Sequence, residues 1–444
     1  MLSSAQNPLF RALRDLISLK RAKKCSDRRD VLSSIDLLTS NAQHLRKLPS
    51  GPMQSFRRAL KSTGISFDEE NREIIHVVGT KGKGSTVAFA DSLLTEAGCS
   101  TVAFTSPHVQ SVYERITFNG KQDHKKFNSA FFSVWDKCIN APEFKISEDE
   151  VWLPPFFHFM SLVGLEAAKQ QHADYLLLEA GIGAKNDVTN LCKPAAVGLT
   201  QVDLDHTEIF GSEIDDILDD KKMAIKKNVP VYCADQDEHI LNVYKKQAKD
   251  VGTSLQVIKP HSHCYEYGIP GPVSSQNSAL AQALVEEVLG RPLEISELEN
   301  GFSKTFLPSR FHKLVYPNNT FFVDGAHCPI AMKACSQWFR TQRDMNRESA
   351  LLVGLTGDRT KHAREVFEPL FALNSFDHVF CTNRELRPIL EELSGKPVEF
   401  VRVVRSVVKG PLQNCDILVT GSLHLAGEGL NHITDYGTVP PINK

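Results

Sequence analysis

The chain has 444 residues, 41% apolar and 23% charged, with a formal net charge of −2 at pH 7. That length exceeds what one hydrophobic core usually serves and implies two domains, while the near-neutral balance gives no bulk electrostatic reason to expect a nucleic-acid or membrane partner. No apolar run approaches the ~20 residues of a membrane span, and the ten cysteines are scattered without a C-x-x-C pair, as suits a reduced intracellular chain.

Residues 1–24, "MLSSAQNPLFRALRDLISLKRAKK", hold six basic residues against the single acid Asp15 and place Leu9, Phe10, Leu13, Leu16 and Ile17 on one helical face. Two readings stand side by side: an organelle transit peptide, which is Arg-rich, Ser-containing and acid-poor, and a surface helix with a basic outer face.

Short β-rich runs then alternate with helical patterns. The first series is Ile74–Val78, Thr101–Thr105, Tyr175–Glu179, Ala196–Thr200 and Val229–Cys233; the second is Phe321–Val323, Leu351–Leu355, His378–Cys381, Glu399–Val404 and Ile417–Thr420. This is the rhythm of parallel sheets covered by helices. It breaks around Gly290 to Pro308, where "FLPSRF" offers a turn-rich hinge.

The first run enters "VVGTKGKGST", in which Gly79, Gly82 and Gly84 punctuate a turn that opens a helix. Such a turn aims backbone N–H groups and the positive helix end at one spot, and so suits a polyphosphate. Gly79, Thr80, Lys81, Gly82, Lys83, Gly84 and Ser85 form the cradle, with Lys83 as the point charge and Ser85 supplying a hydroxyl. Only Thr80 and Lys81 separate Gly79 from the Gly82-Lys83 pair, so the standard P-loop pattern is missed. An ordinary βα turn with a solvated lysine pair is the competing reading. "HSHC", His261 to Cys264, has no matching second pair and is not taken as a metal clip.

Other predicted strands end in polar residues, where α/β proteins bind ligands. Ser106 ends "VAFTS", Glu179 ends "LLLE", and Asp203, Asp205 and His206 follow "LTQV". If Ser85, Ser106, Glu179 and His206 converge, they form a hydroxyl, carboxylate and imidazole set suited to Mg2+. Later strands end in Asp324 and His327, in Gly357 and Asp358, and in Gly421, Ser422 and His424. No G-x-G-x-x-G opens a helix there, which argues against a dinucleotide site.

Six ordered motifs, "HVVGTKGKGST", "TSPHVQSVYERITFNG", "LEAGIGAKNDVTN", "DLDHTEIFG", "DGAH" and "VTGSLHLAG", resemble those of the folylpolyglutamate synthases, relatives of the Mur ligases, from about Val31 onward. Their wording looks like the eukaryotic branch. The resemblance implies an α/β fold of two domains: a P-loop ATPase-like parallel-sheet domain over residues 31–304 and a smaller Rossmann-like domain over 305–444, behind a basic extension, 1–30.

It also implies an ATP-dependent amide ligase that uses ATP and Mg2+, with K+ as a further monovalent cation. Its substrates would be a reduced folate and L-glutamate, its state monomeric without nucleic acid or membrane insertion, and its location cytoplasmic and/or mitochondrial. Carried over residue by residue, Ser106, Glu179 and His206 match metal ligands; Asn277, Arg310 and Asp324 match ATP contacts; and Lys83, Lys221 and His327 match catalytic positions. Lys221 falls on the lysine that this family commonly carbamylates. The chain departs from the family at Gly183-Ala184-Lys185 in place of "GGR", at Cys328 in place of Asn, at Ser274-Ser275-Gln276-Asn277-Ser278 in place of "Q-x-x-N-A", and at Pro308-Ser309-Arg310 in place of "P-G-R".

Removing residues 1–24 should leave activity intact and change location if the segment is a transit peptide. Imaging full-length and truncated forms checks this, and identical distributions would favour the surface helix.

Overall fold

The computed structural model describes residues 31 and 35 and the stretches 51–68, 72–141 and 154–434; the basic segment 1–24 lies outside them. The described residues divide into two units. One takes in the described residues up to Pro107 with Arg115–Lys259 and Leu280–Glu294, and the other His108–Glu114, Pro260–Ala279 and the described residues from Ile295 onward. The second unit therefore draws on two segments that precede the expected linker.

The first unit runs α1 (Gly51–Thr63), β1 (Glu73–Val78), α2 (Lys83–Glu96), β2 (Thr101–Phe104), β3 (Ile116–Phe118), α3 (His124–Asn140), α4 (Phe156–Gln170), β4 (Tyr175–Glu179), β5 (Ala196–Leu199), α5 (Thr207–Phe210), α6 (Ile214–Lys221), β6 (Val231–Ala234), α7 (Glu238–Val251) and β7 (Leu255–Ile258). Its sheet has the order β3-β2-β4-β1-β5-β6-β7. Apart from the antiparallel β2–β3 pair, neighbouring strands are parallel. Along β2, β4, β1 and β5 almost every residue is buried, which is why these strands read as continuous apolar runs rather than alternating ones.

Helix α3 begins at Asp123, whose carboxylate accepts from the N–H groups of Lys125 and Lys126, both at 3.0 Å. It stacks Phe127, Phe131 and Trp135 at successive four-residue intervals, and Phe131 meets the α4 ring Phe159 edge-on at 5.1 Å. Helical spacing puts these rings on one face, and their burial welds α3 to α4.

Helix α8 (Ser274–Leu289) begins in the second unit, which continues through α9 (Ile295–Lys304), β8 (His312–Val315), β9 (Asn319–Val323), α10 (Pro329–Gln342), β10 (Glu348–Val353), α11 (Ala363–Leu373), β11 (His378–Cys381), α12 (Arg387–Ser394), β12 (Val398–Phe400), α13 (Arg405–Val408), β13 (Cys415–Thr420) and α14 (Leu423–Thr434). The sheet order is β12-β11-β10-β13-β9-β8, parallel except for β8 against β9.

The two-sheet α/β architecture agrees with the sequence reading, and the differences are local. Strands β3, β7 and β8 were not expected, being edge strands of three or four residues whose partners, not their own pattern, define them. The expected strand Glu399–Val404 stops at Phe400, and Val404 instead caps α13, where Val407 and Val408 enter the core. The supposed break from Gly290 to Pro308 contains α9, whose Gly301 and Phe302 are buried. Tertiary packing overrides the turn character of its Asn-Gly pair.

Phe131→Ala should destabilise the first unit by about 3–5 kcal/mol, the range for emptying a buried aromatic site. A fall in the urea midpoint at unchanged slope checks it.

Candidate active site

The phosphate-type turn is built by close backbone approach. Gly79 ends β1 so tightly against β5 that a Cβ there would lie 1.9 Å from Thr200 Oγ1. Gly82, at φ 91°, caps α2 from the left-handed region, which favours glycine. Thr80 and Lys81 both donate backbone N–H bonds to Gln201 O, at 2.8 and 3.1 Å, and Thr80 Oγ1 donates to Asp203 O at 3.2 Å. The turn is thus sewn to the segment leaving β5. Lys83 is the first residue of α2 rather than a loop residue, and Ser85 follows it, buried, in the first turn.

Register places the expected polar residues side by side. Val77 of β1 pairs with Glu179 of β4, Val78 with Leu199 of β5, and Phe104 of β2 with Leu178. The carboxyl ends of four adjacent strands therefore present Ser106, Glu179, the Gly79 turn and the Asp203–His206 segment along one edge, where α/β sheets bind ligands. Buried Glu179 accepts from Ser106 N–H at 2.8 Å. Asp205 bonds Lys81 Nζ at 2.8 Å with one oxygen and accepts His206 N–H at 3.0 Å with the other, holding His206 at the left-handed entry to α5.

Two lysines converge on one carbonyl. Lys83 Nζ donates to Gly79 O at 3.2 Å and to Thr80 O at 3.3 Å, and Lys221 Nζ reaches the same Gly79 O at 2.9 Å. Burial lowers the Lys83 pKa, with Glu179 the strongest opposing influence and Lys81 adding to the lowering. Burial, then the neighbouring Lys83, pushes the Lys221 amine down from 10.5 to about 7 against the pull of Asp220, Asp205 and Asp187. Its neighbour Lys222 is a different residue physically: it pairs with the exposed Asp219 at 2.5 Å. The sequence pattern predicts a helix over Ile214–Lys227, but α6 ends at Lys221 and a short 3-10 turn comes next.

The donor chemistry fits an anionic polyphosphate with a hard divalent cation. The Lys83 and Lys221 amines lie at the turn, and Glu179, Ser106 and His206, if they act together, would form an open set that leaves positions for water and phosphate oxygen, as Mg2+ prefers. Among the described residues, no group of three His, Cys, Asp or Glu side chains forms an all-protein cage.

In the second unit, the carboxyl end of β9 carries buried Asp324, which accepts from Phe311 N–H and Ala326 N–H, each at 2.9 Å. Burial raises the Asp324 pKa, while Arg310 opposes the rise. Ser309 and Phe311, at φ 56° and 50°, flank Arg310 in left-handed backbone, a strain that the surrounding bonds must sustain. Gly325 leaves room for the guanidinium, since a Cβ there would come within 2.9 Å of Arg310 Nη1. His327 Nδ1 bonds Gly325 O at 2.6 Å. Asn277 is buried in the first turn of α8.

The sequence motifs assign no role to Asp187 or to Asp220. Asp187 Oδ2 accepts from Gly181 N at 2.8 Å and Ile182 N at 3.2 Å, while Oδ1 holds Thr189. The Asp-x-Thr spacing is a capping signal visible in the sequence, but its reach back to Gly181 is not.

Lys221 has a testable pH signature. Its pKa is lower in the folded chain than its ordinary 10.5, so between about pH 7 and 10.5 the unfolded chain binds more protons and stability rises with pH. The penalty of burying the lysine is therefore greatest at and below about pH 7. In CO2-free buffer, the stability advantage of Lys221→Met over the parent should shrink by up to about 1.4 kcal/mol per pH unit as pH rises through that window. A constant offset in chemical-denaturation midpoints would contradict the assignment.

No protein-family model matches the chain. The probable folylpolyglutamate synthase of Schizosaccharomyces pombe is 30% identical over 403 residues, 84% of this chain and 76% of that one. The mitochondrial folylpolyglutamate synthase of Cricetulus griseus is 28% identical over 402 residues, 80% of this chain and 67% of that one. Among solved structures, Mycobacterium tuberculosis folylpolyglutamate synthase complexed with ADP and AMPPCP matches with a TM-score of 0.76 at 20% identity, covering 91% of this chain and 100% of that one. The bifunctional folylpolyglutamate synthase/dihydrofolate synthase of Yersinia pestis, complexed with AMPPNP and Mn, matches at TM-score 0.71 and 20% identity over 89% and 98% of the two chains. Sequence identity over most of both chains, together with a shared two-sheet fold, places this chain in the folylpolyglutamate synthase family.

Proposed function

We propose that the chain is an ATP-dependent ligase that joins L-glutamate to the γ-carboxylate of a reduced folate and so lengthens a polyglutamate tail. The observation that carries this reading is the convergence of Lys83 and Lys221 on Gly79 O, in a glycine turn beside Glu179.

The reaction joins two anions and then expels phosphate. A γ-carboxylate oxygen of the folate attacks the γ-phosphorus of ATP, the bond to the bridging oxygen breaks, and ADP leaves an acyl phosphate. The glutamate amine then forms a C–N bond at the acyl carbon, inorganic phosphate departs, and the amine loses a proton. Such a sequence needs charge neutralisation and alignment more than covalent help. The N–H groups of Gly82, Lys83, Gly84 and Ser85 at the helix start and the ammonium of Lys83 hold the phosphates, on a turn that Gly79, Thr80 and Lys81 fix in place. Ser106, Glu179 and His206 would hold Mg2+, which supplies further neutralisation of phosphate charge when bound.

Arg310, Asp324 and Asn277 contact the nucleotide. His327, its Nδ1–H committed to Gly325 O, has an Nε2 of acceptor character suited to the amine proton. The lowered Lys221 amine can capture CO2, and the resulting carbamate supplies an anion where the free lysine supplies a cation. In this reading the protein works as a monomer in the cytoplasm and/or mitochondrion, without stable membrane insertion.

A nucleotide switch would not require Arg310, Asp324 and His327 as a second strand-end set, which favours the ligase. Dihydrofolate synthase is the nearest rival within the ligases. Purified protein given ATP, glutamate and tetrahydrofolate should form product, and product from dihydropteroate alone would overturn the preference. Lys83→Ala should abolish turnover with the fold intact, because it removes charge stabilisation worth several kcal/mol in a water-poor site. Retention of a near-parental rate would sink the phosphate assignment.

A further inference from the structure

We propose that Asp220 is a positioning residue for Glu179, acting through the glycine loop that separates the two. The inference rests on Glu179 as a metal ligand.

Glu179 is the last residue of β4, and the next segment, Ala180 to Asn186, has no helix or strand of its own. Carboxylates fasten it at two places. Asp187, close in sequence, takes the N–H groups of Gly181 and Ile182. Asp220 comes from α6 and takes those of Ala184 at 2.5 Å and Lys185 at 3.3 Å. Gly183, at φ +74°, is the residue that permits this approach, since a Cβ there would stand 2.2 Å from Asp220 Oδ1. Ala184 is fully buried in the same core cluster as Ile217 and Leu218 of α6, so loss of its partner would strand a buried N–H group.

Position 220 also gains weight from its neighbour at 221. Asp220 ties α6 to the loop after Glu179, and Lys221 ties the same helical end to Gly79 O. One turn of helix therefore sets the metal-facing loop and the phosphate-facing loop relative to each other. The contact is with backbone, so it does not depend on the side chain at 185, where an exposed lysine stands in place of the family's arginine. Groups that orient a ligand without touching the metal typically change metal affinity 10–100-fold when removed.

Direct metal binding tests this without relying on turnover. Mn2+ binding to the full-length protein in the presence of ADP, followed by electron paramagnetic resonance, should weaken at least about tenfold in Asp220→Ala. Asp220→Asn, whose amide oxygen still accepts both N–H bonds, should bind far more nearly as the parent does, and Gly183→Ala, approaching from the loop side, should reproduce the alanine phenotype. In steady state the Mg2+ requirement should rise while KM for glutamate holds. Parental Mn2+ affinity in Asp220→Ala would overturn the proposal. So would an Asp220→Asn protein as weak as Asp220→Ala, because the charge beside Lys221 and not the loop bond would then matter. If Asp220→Ala does not accumulate as folded protein, Gly183→Ala decides by the same criterion. A parent that fails to bind Mn2+, or a Glu179→Gln variant that binds like the parent, would instead remove the metal role of Glu179 itself.

Discussion

The carbonyl oxygen of Gly79 is the point on which the first unit's site depends. It accepts from two amines, partly buried Lys83 and buried Lys221, whose charged forms desolvation disfavours. Burial lowers both pKa values, with Lys81 adding to the effect at Lys83 and Lys83 at Lys221, while Asp205 and Asp187 oppose it at both. Two amines confined on one carbonyl beside a glycine turn oppose each other's charge in the isolated protein, and the same placement suits a polyphosphate. The geometry that allows it is the missing side chain at Gly79, packed against Thr200.

That convergence is a consequence of sheet order. β1 lies between β4 and β5, with β2 beyond β4, so four chain segments far apart in sequence leave the sheet next to one another. Close packing on both faces keeps the strands from shifting register, because a one-residue slip would exchange the side chains fitted to the two faces. The ends can then carry polar residues that need not contribute to packing. The second unit repeats the scheme with β10, β13 and β9, and there the strain at Ser309 and Phe311 marks where the backbone is bent to present Arg310 beside Asp324.

Helix α6 shows how stability and chemistry share the same residues. Ile217 and Leu218 anchor it in the core, while Asp220 and Lys221 hold the two site loops. Substitutions at these positions are expected to couple rather than add, since they act through one short element.

Much of this was legible in the chain itself. Short, nearly continuous apolar runs such as Ile74–Val78 and Tyr175–Glu179, recurring between helical patterns, announce buried parallel strands because both faces of such a strand lie against the core. Gly79, Gly82 and Lys83 announce an anion-binding turn because backbone approach and charge are local properties. Distances along one turn or one strand are set by covalent geometry, so these features survive translation into a one-dimensional pattern. Edge strands β3, β7 and β8 were not legible, because an edge is defined by its neighbour. Nor was the role of Asp187 and Asp220, whose partners lie across a loop or in another element, 36 residues away for Asp220 and Ala184. The depressed Lys221 amine belongs to the same class. Its sequence neighbours are acidic and would favour the ammonium, whereas burial and Lys83, which only the folded chain brings to it, lower its pKa.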